Sequence, residues 1–347
     1  MSVVILLALV RALTEFVRGN RLEGREKHIT TERRTIGRRL PEVVAKSDRE
    51  CDKINGPVRL IIRSESVVKF RAGGYIVSRP MMISSRTYDR DGSCLRECEY
   101  ARGIISTRTE FSGAHRGIDQ FNVVGDDARR GRCGFARYDA AGILMLRGIY
   151  SAIQDTLAEI DYRDGRNRRE GMMIIRYDSL DRIVESIARD RSDCVDSSTR
   201  FSYDVTGRPF EARDYRAHGF AHRGRRYFWN GDGRLLRVEF HRNVMSNYPD
   251  SLIRYRYDSA GNRTEECHYG ISGSLAGKII FQRDIHGHCV TSRIYASSDF
   301  TMPEEEWRHD YDRHENIIRS ECFRREAHGG GAALVPVKII YNEFAYF

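Results

Sequence analysis

The sequence has no apolar run long enough for a transmembrane helix. Such a helix needs about 20 predominantly apolar residues, whereas the most apolar stretch, Ser2 to Val10, is followed at once by Arg11. We therefore expect no integral membrane span. Hydrophobic residues make up 40% of the 347 residues and charged residues 31%, a balance that excludes an extended disordered chain.

Proline and lysine are both scarce. There are 7 prolines beside 30 glycines and 18 tyrosines, a composition that favours strands and turns over helices. Six lysines contribute to the 58 Lys+Arg residues, so nearly all the basic residues are arginines. This skew is more typical of a GC-rich genome than of a particular chemistry.

The motifs of common catalytic and metal sites are also missing. The sequence has no Gly-rich phosphate loop, no nucleophile elbow, no H-E-x-x-H and no C-x-x-C among its 8 cysteines. The pair His286 and His288 lacks a third ligand nearby and reads as a solvated turn. The cysteines read as isolated buried thiols, with some disulfides or a metal site as the alternatives. We predict that the protein is not an enzyme and that it has no catalytic residue, no metal site and no cofactor.

The N-terminal region is set apart by its composition. Residues 1–17 form a short apolar helix or a signal-like segment, and a misassigned start is a third interpretation. Residues 18–56 form a basic linker, in which residues 18–39 hold eight basic and three acidic side chains and so carry more than half of the net charge of +9. The remaining residues, 57–347, are predicted to form one repeat domain.

One phrase, Tyr-Asp-x-x-Gly, recurs through that domain. The spacing of the glycine-equivalent positions from 181 onward is 26, 26, 28, 26 and 28 residues. A degenerate copy of the phrase has Trp229 in place of the tyrosine. Asp at the first turn position accepts backbone hydrogen bonds, and Gly at the fourth adopts the positive φ of a hairpin turn with a bulge. The predicted turn residues are Asp89, Gly92, Asp139, Gly142, Asp204, Gly207, Asn230, Gly233, Asp258 and Gly261.

A second aromatic recurs eight residues after the glycine position, as in Tyr269 after Gly261. We expect it to cap one arm of each hairpin, with the tyrosine before the turn capping the other, so that stacked copies form aromatic ladders. The structural role is favoured for these residues. The alternative is a ligand-stacking platform built from Tyr255, Tyr257, Trp229 and Tyr269.

The phrase from Arg254 to Arg263, RYRYDSAGNR, resembles a YD repeat, the unit of bacterial Rhs proteins, toxin-complex shell proteins and animal teneurins. The stretch from Phe201 to Arg208 is similarly close, and the resemblance extends over roughly residues 85 to 345. It implies an all-β fold of antiparallel β-hairpins laid side by side into a curled, solenoid-like sheet. Strand-like runs at Val58 to Ile62 and Ser66 to Phe70 are expected to cap this array.

The leading functional hypothesis is a non-enzymatic β-repeat scaffold that binds protein or carbohydrate at a surface. A shell fragment of a bacterial Rhs-type toxin system, carrying a separate effector, is the second hypothesis. A weak single-stranded nucleic-acid binder is the third, disfavoured because the repeats carry little net charge for their size. An outer-membrane barrel is disfavoured because the faces opposite the tyrosines are rich in Arg and Glu. A secreted or cell-envelope location is slightly preferred to the cytoplasm.

Overall fold

The computed structural model describes residues 54–71, 74–112, 133–154, 157–180, 182–296, 300–328 and 331–347. All regular secondary structure in these ranges is β-strand. The expected apolar or signal-like segment 1–17, and the basic linker up to residue 53, lie outside the described residues. In the described part of the chain there is no helix that could cross a membrane.

The described ranges contain 21 strands, most of them joined by short turns. They are β1 (Val58–Arg71), β2 (Gly74–Val77), β3 (Met81–Tyr88), β4 (Cys94–Ala101), β5 (Ile104–Ser112), β6 (Cys133–Asp139), β7 (Leu144–Gln154), β8 (Leu157–Asp164), β9 (Arg169–Tyr177), β10 (Ile183–Asp190), β11 (Val195–Tyr203), β12 (Pro209–Arg216), β13 (Ala221–Trp229), β14 (Leu235–His241), β15 (Ser251–Tyr257), β16 (Arg263–Tyr269), β17 (Leu275–Arg283), β18 (Cys289–Ala296), β19 (Glu305–Tyr311), β20 (Ile317–His328) and β21 (Gly331–Tyr346).

The strands form one antiparallel sheet that closes on itself. From β3 to β21 each strand pairs with the next strand in the chain. Strand β1 completes the ring, because it pairs with β3 on one side and with β21 on the other, where Ser64 lies opposite Tyr341. The ring holds 20 strands, β1 and β3 to β21, and is a closed β-barrel.

The expected open, solenoid-like array of hairpin repeats is therefore wrong, although the all-β assignment is confirmed. The runs Val58 to Ile62 and Ser66 to Phe70 both lie in β1, a strand within the ring rather than an end cap. The physical reason is that an open array leaves unpaired backbone groups at its two edges. Pairing β1 with β21 satisfies both edges at once, which is how closed barrels remove them.

The two faces of the sheet differ in chemistry. Residues opposite one another on adjacent strands share a face, so the pairings of Tyr227 with Val238, and of Val238 with Ile253, extend one apolar face across β13, β14 and β15. The buried core lies on this face. Its members are Ala158, Ile160, Met173, Ile175, Tyr177, Ile183, Phe201, Ala212, Tyr227, Leu235, Val238 and Tyr255.

The opposite face is ionic. Glu306 is buried there between the guanidinium groups of Arg293, at 2.6 Å, and Arg308, at 2.8 Å. Arg293 lies directly opposite Glu306 on the neighbouring strand, and Arg308 lies two positions further along the strand of Glu306. Such Arg–Glu pairs recur across the sheet, so this face is charged and its carboxylates are paired with guanidinium groups.

A buried amide ties the closing strands together at one end of the barrel. Asn316, which is 3% exposed, accepts a hydrogen bond from the backbone N–H of Asn55 at 2.7 Å and donates one to the Asn55 carbonyl at 2.9 Å. Its Nδ2 also donates to the hydroxyl of Tyr346 at 3.1 Å. The turn between β19 and β20 is thereby bonded both to the entry of β1 and to the end of β21.

Candidate docking site

The residues proposed to shape the turns all lie in four-residue hairpin turns. In each of the five turns the glycine has positive φ and donates its N–H to the carbonyl of the Asp or Asn three residues earlier. In each, the Asp or Asn side chain accepts the backbone N–H of the residue four positions later. The φ angles are 89° at Gly92, 78° at Gly142, 84° at Gly207, 81° at Gly233 and 92° at Gly261.

These turns lie at two different ends of the barrel. Because neighbouring strands are antiparallel, alternate connections fall at the same end. The turns that follow β3, β11, β13 and β15 share one end, here named the turn rim. The turn of Asp139 and Gly142 follows β6 and lies at the other end, here named the hairpin rim because it also carries the connection from β1 to β3.

At the turn rim each hairpin is braced by the next one. The guanidinium of Arg182 lies 4.5 Å from the ring centroid of Tyr203, whose hydroxyl donates to the Ile183 carbonyl at 2.6 Å. The same relation recurs between Arg208 and Trp229, with a separation of 5.9 Å. The polar groups of this rim are therefore used in holding hairpins together.

The four aromatics considered as a stacking platform do not lie together. Tyr255, Tyr257 and Trp229 share the apolar face, whereas Tyr269 pairs with Leu252 and lies on the ionic face. Each is also engaged. Tyr255 is 6% exposed, Tyr257 donates its hydroxyl to a backbone carbonyl at 2.8 Å, and Trp229 donates its indole N–H to another at 2.8 Å. Tyr269 faces a guanidinium at 5.2 Å.

The split between faces comes from the bulge at each turn. Tyr257 pairs with Arg263 while the preceding residue, Arg256, pairs with Glu265, so Thr264 is an extra residue in β16. An extra residue shifts the alternation of side chains by one position. As a result Tyr269 faces away from Tyr257, and the expected ladder of one aromatic per hairpin arm is replaced on the ionic face by contacts such as that of Arg254 with Tyr269.

The effect of added bulk at the turn glycines can be tested with a matched pair. A Cβ at Gly261 would lie 2.8 Å from Nη2 of Arg234, whereas a Cβ at Gly273, φ +74°, would meet nothing within 4 Å. We expect Gly273→Ala to cost about 1 kcal/mol of unfolding free energy from the left-handed backbone alone. Gly261→Ala should cost about 0.5 kcal/mol more, because Arg234 must move. Urea denaturation measures both changes. Equal losses of unfolding free energy would show that the contact with Arg234 does not affect stability.

The turn carboxylates predict a dependence of stability on acid pH. A hydrogen bond from the Thr206 hydroxyl, together with those from the amides of Thr206 and Arg208, lowers the pKa of Asp204 from 3.8 to about 2. A carboxyl whose folded pKa is depressed stabilises the fold above its unfolded pKa and loses that contribution as pH falls through the folded value. We therefore expect the Tm of the wild type to fall between about pH 4 and pH 2.

The control for this prediction is Asp204→Asn. Asn230 occupies the same turn position and accepts the Arg234 N–H through its side-chain oxygen at 2.8 Å, so an amide can form the turn. The Tm difference between wild type and Asp204→Asn should be largest near pH 5 and should shrink toward pH 2. A difference that stays constant over this range would contradict the assignment.

The histidine pair His286 and His288 and the described cysteines are held in separate local contacts. His288 contacts Asp284 at 3.1 Å and Glu315 at 3.5 Å and stacks on Tyr311 at a centroid distance of 4.8 Å. Among the residues that the structure describes, no three His, Cys, Asp or Glu side chains could hold a metal ion. Burial raises the pKa of the Cys322 thiol to about 11, so this thiol stays protonated at neutral pH.

The most conspicuous surface is instead the hairpin formed by β1 and β2. Its large side chains are half exposed: Phe70 is 56% exposed, Tyr75 49%, Ile76 55% and Val77 48%. Phe70 and Tyr75 face each other across the hairpin, with ring centroids 5.4 Å apart. Clustered exposure of this kind is typical of an interaction surface rather than of the scattered apolar residues on ordinary surfaces.

Strand β2 differs from the other strands in its pairing. Within the described residues it pairs with β1 alone, whereas the strands of the ring each have a partner on both sides. All four of its residues are exposed. Among the described strands, the hairpin thus gives the closed sheet an edge without a neighbouring strand. Sequence patterns missed this site, although Tyr75-Ile76-Val77 after Gly74 is a recognisable strand, because its exposure depends on the strand lying outside the ring.

The comparisons with known proteins yield a likeness in structure only. No family model and no curated protein matches the chain. The chain is similar to a porin-like protein from Bacteroides uniformis ATCC 8492, with 10% identity and a TM-score of 0.35 over 84% of this chain and 99% of that one. It is also similar to TcdB2-TccC3-Cdc42, with 10% identity and a TM-score of 0.22 over 81% of this chain, and it spans 20% of that chain.

The predicted YD-repeat assignment, with its Rhs and toxin associations, is not supported by these findings. The likeness to TcdB2-TccC3-Cdc42 is coarse, and no family model matches the residues that carry the phrase. The closed barrel itself is established by the pairing of β1 with β3 and β21.

Proposed function

We propose that this protein is a non-enzymatic β-barrel scaffold that binds a protein partner through the β1–β2 hairpin. The observation that carries the proposal is the exposure of Phe70, Tyr75, Ile76 and Val77 on a strand pair that projects from the ring. Fully burying a large apolar side chain is worth about 1.5–3 kcal/mol. Covering these half-exposed side chains with a partner would therefore contribute on the order of 1 kcal/mol each.

A protein partner is favoured over a glycan by the nature of this surface. Glycan recognition by stacking needs aromatic rings with open faces, whereas a guanidinium lies over each of the four candidate rings, those of Tyr255, Tyr257, Trp229 and Tyr269. The hairpin instead presents aliphatic and aromatic side chains beside open backbone groups. Protein interfaces are built around such apolar anchors with polar groups at their rim.

Site-specific photo-crosslinking of the full chain in its native cells tests this proposal. A benzophenone amino acid at Ile76 is expected to capture a protein partner. The matched site is Val205, an apolar turn residue that is fully exposed at the turn rim, and it should not capture that partner. The purified partner should then bind wild type and Val205→Asp equally, and Ile76→Asp at least about tenfold more weakly. Equal binding to all three forms, or capture of the same partner from Val205, would overturn the proposal.

A further inference from the structure

The backbone of β2 has one bonded edge and one open edge. The Ser78 N–H donates to the Val67 carbonyl at 2.9 Å, which fixes the positions of the bonded pairs between β1 and β2. Bonded and non-bonded pairs alternate in an antiparallel ladder, so Ile76 directs its N–H and C=O toward β1. The N–H and C=O groups of Tyr75 and Val77 point the other way, where no described strand pairs with them.

The hairpin is also basic. Residues 66–81 contain Lys69, Arg71 and Arg79 and no Asp or Glu. Lys69 lies opposite Ile76 and Arg71 lies opposite Gly74, so both are one strand away from the open edge of β2, and Arg79 follows the end of β2 by two residues. A segment that lies along β2 gains from acidic residues at its ends and would be repelled by basic ones.

This combination discriminates between the possible occupants of the edge. A lipid interior offers no partners for the outward N–H and C=O groups, and each such group costs several kcal/mol when left unpaired in hydrocarbon. A second copy of the chain paired through β2 would bring two sets of Lys69, Arg71 and Arg79 together, with no acidic residue of the hairpin to offset them. An extended acidic segment satisfies both the backbone groups and the charge.

We infer that β2 binds an extended, acid-flanked apolar segment of a partner protein as an added β-strand. This inference rests on the proposed function and specifies how the partner is recognised. Main-chain hydrogen bonds to Tyr75 and Val77 supply the pairing, and the exposed side chains of Tyr75 and Ile76, on opposite faces of β2, contact the alternate residues of the added strand. Arg71, opposite Gly74 at one end of β2, and Arg79, two residues beyond Val77 at the other end, select its acidic ends.

The test uses the full chain and a synthetic probe. The probe is a fluorescein-labelled peptide of ten residues, alternating Val and Thr with two Asp at each end. We expect saturable binding by anisotropy, and slowed amide exchange at Tyr75 and Val77 when the peptide is bound. A second peptide with Lys in place of Asp should bind at least about tenfold more weakly.

Two substitutions at one position separate the backbone from the side chain. Val77→Pro removes an outward N–H without removing a bond to β1, whereas Val77→Ala shortens the side chain and keeps that N–H. We expect Val77→Pro to weaken binding of the acidic peptide at least about tenfold, and Val77→Ala to stay within about threefold of wild type. Unchanged exchange at Ile76 in both variants confirms that the hairpin is intact.

Each other outcome overturns the inference. For the peptides, these outcomes are no binding at millimolar concentration, equal binding to Val77→Pro and wild type, and equal binding of the acidic and basic peptides. A lipid or a second copy would be the occupant instead if phosphatidylglycerol vesicles bound wild type but not Val77→Pro, or if the protein formed a dimer that Val77→Pro dissociates. The proposed function is judged separately. If binding of a natural partner is unchanged by Val77→Pro but weakened by Ile76→Asp, the partner does not add a strand to β2. The proposed docking through the hairpin side chains would still hold.

Discussion

A disulfide between Ser64→Cys and Tyr341→Cys is expected to form and to raise the free energy of unfolding by about 5 kcal/mol. The two residues lie directly opposite each other on β1 and β21. Cα atoms of opposed residues in antiparallel strands are about 4.5–5.5 Å apart, which is within the range that a disulfide spans. The bond closes a loop of about 280 residues, and the loss of unfolded-state entropy grows with loop length.

The matched control moves one cysteine to the next strand. Arg319 lies opposite Tyr341 on β20, so Ser64 and Arg319 are separated by two strand spacings, or about 9.6 Å. A Ser64→Cys/Arg319→Cys pair should therefore stay reduced. Peptide mapping without reductant identifies the bonds, and urea denaturation of the oxidised and reduced forms gives the stability. Failure of the first pair to crosslink would contradict a closed barrel, since an open array holds β1 and β21 far apart.

Tyr227 is expected to respond with opposite signs to two substitutions. Its ring lies in the core, 5% exposed, and its hydroxyl has no hydrogen-bond partner among the described residues. Tyr227→Ala should lose about 3–5 kcal/mol of unfolding free energy through the cavity that it leaves. Tyr227→Phe should gain about 1 kcal/mol, because it removes a buried polar group that makes no bond.

Tyr203 provides the comparison for the hydroxyl. It also contacts the core, but its hydroxyl donates to the Ile183 carbonyl at 2.6 Å. Tyr203→Phe should therefore lose about 1 kcal/mol, the opposite of the change at Tyr227. Urea denaturation of the three variants at one temperature measures these differences. A loss at Tyr227→Phe similar to that at Tyr203→Phe would show that the Tyr227 hydroxyl is hydrogen bonded in solution.

The predictable parts of this fold are those fixed by a few neighbouring residues. Asp204 and Gly207 indicate their turn because an Asx hydrogen bond and a positive φ are properties of four consecutive residues. The face occupied by Tyr269 could not be read in the same way. It depends on Thr264 being the extra residue of a bulge, and the sequence alternation around it looks regular.

Closure and the docking hairpin lay beyond sequence reasoning for a different reason. That Ser64 meets Tyr341 depends on how many hairpins bring the sheet back to its beginning, a property of the whole chain. Tyr75, Ile76 and Val77 have the composition of a buried strand. Only the pairing of β1 with β3 and β21 excludes β2 from the ring and leaves those side chains exposed.

The contact between β1 and β21 also sets the order in which the molecule assembles. Ring strands elsewhere pair with near neighbours in the chain, as β15 does with β16, so they can form early at a small cost in loop entropy. The β1–β21 contact joins residues about 280 positions apart, so forming it costs more loop entropy. It becomes favourable only once the intervening hairpins have formed and brought the two strands together. Folding should therefore end at this contact, and unfolding should begin there, with amide protons of β1 and β21 exchanging before those of β13 and β14.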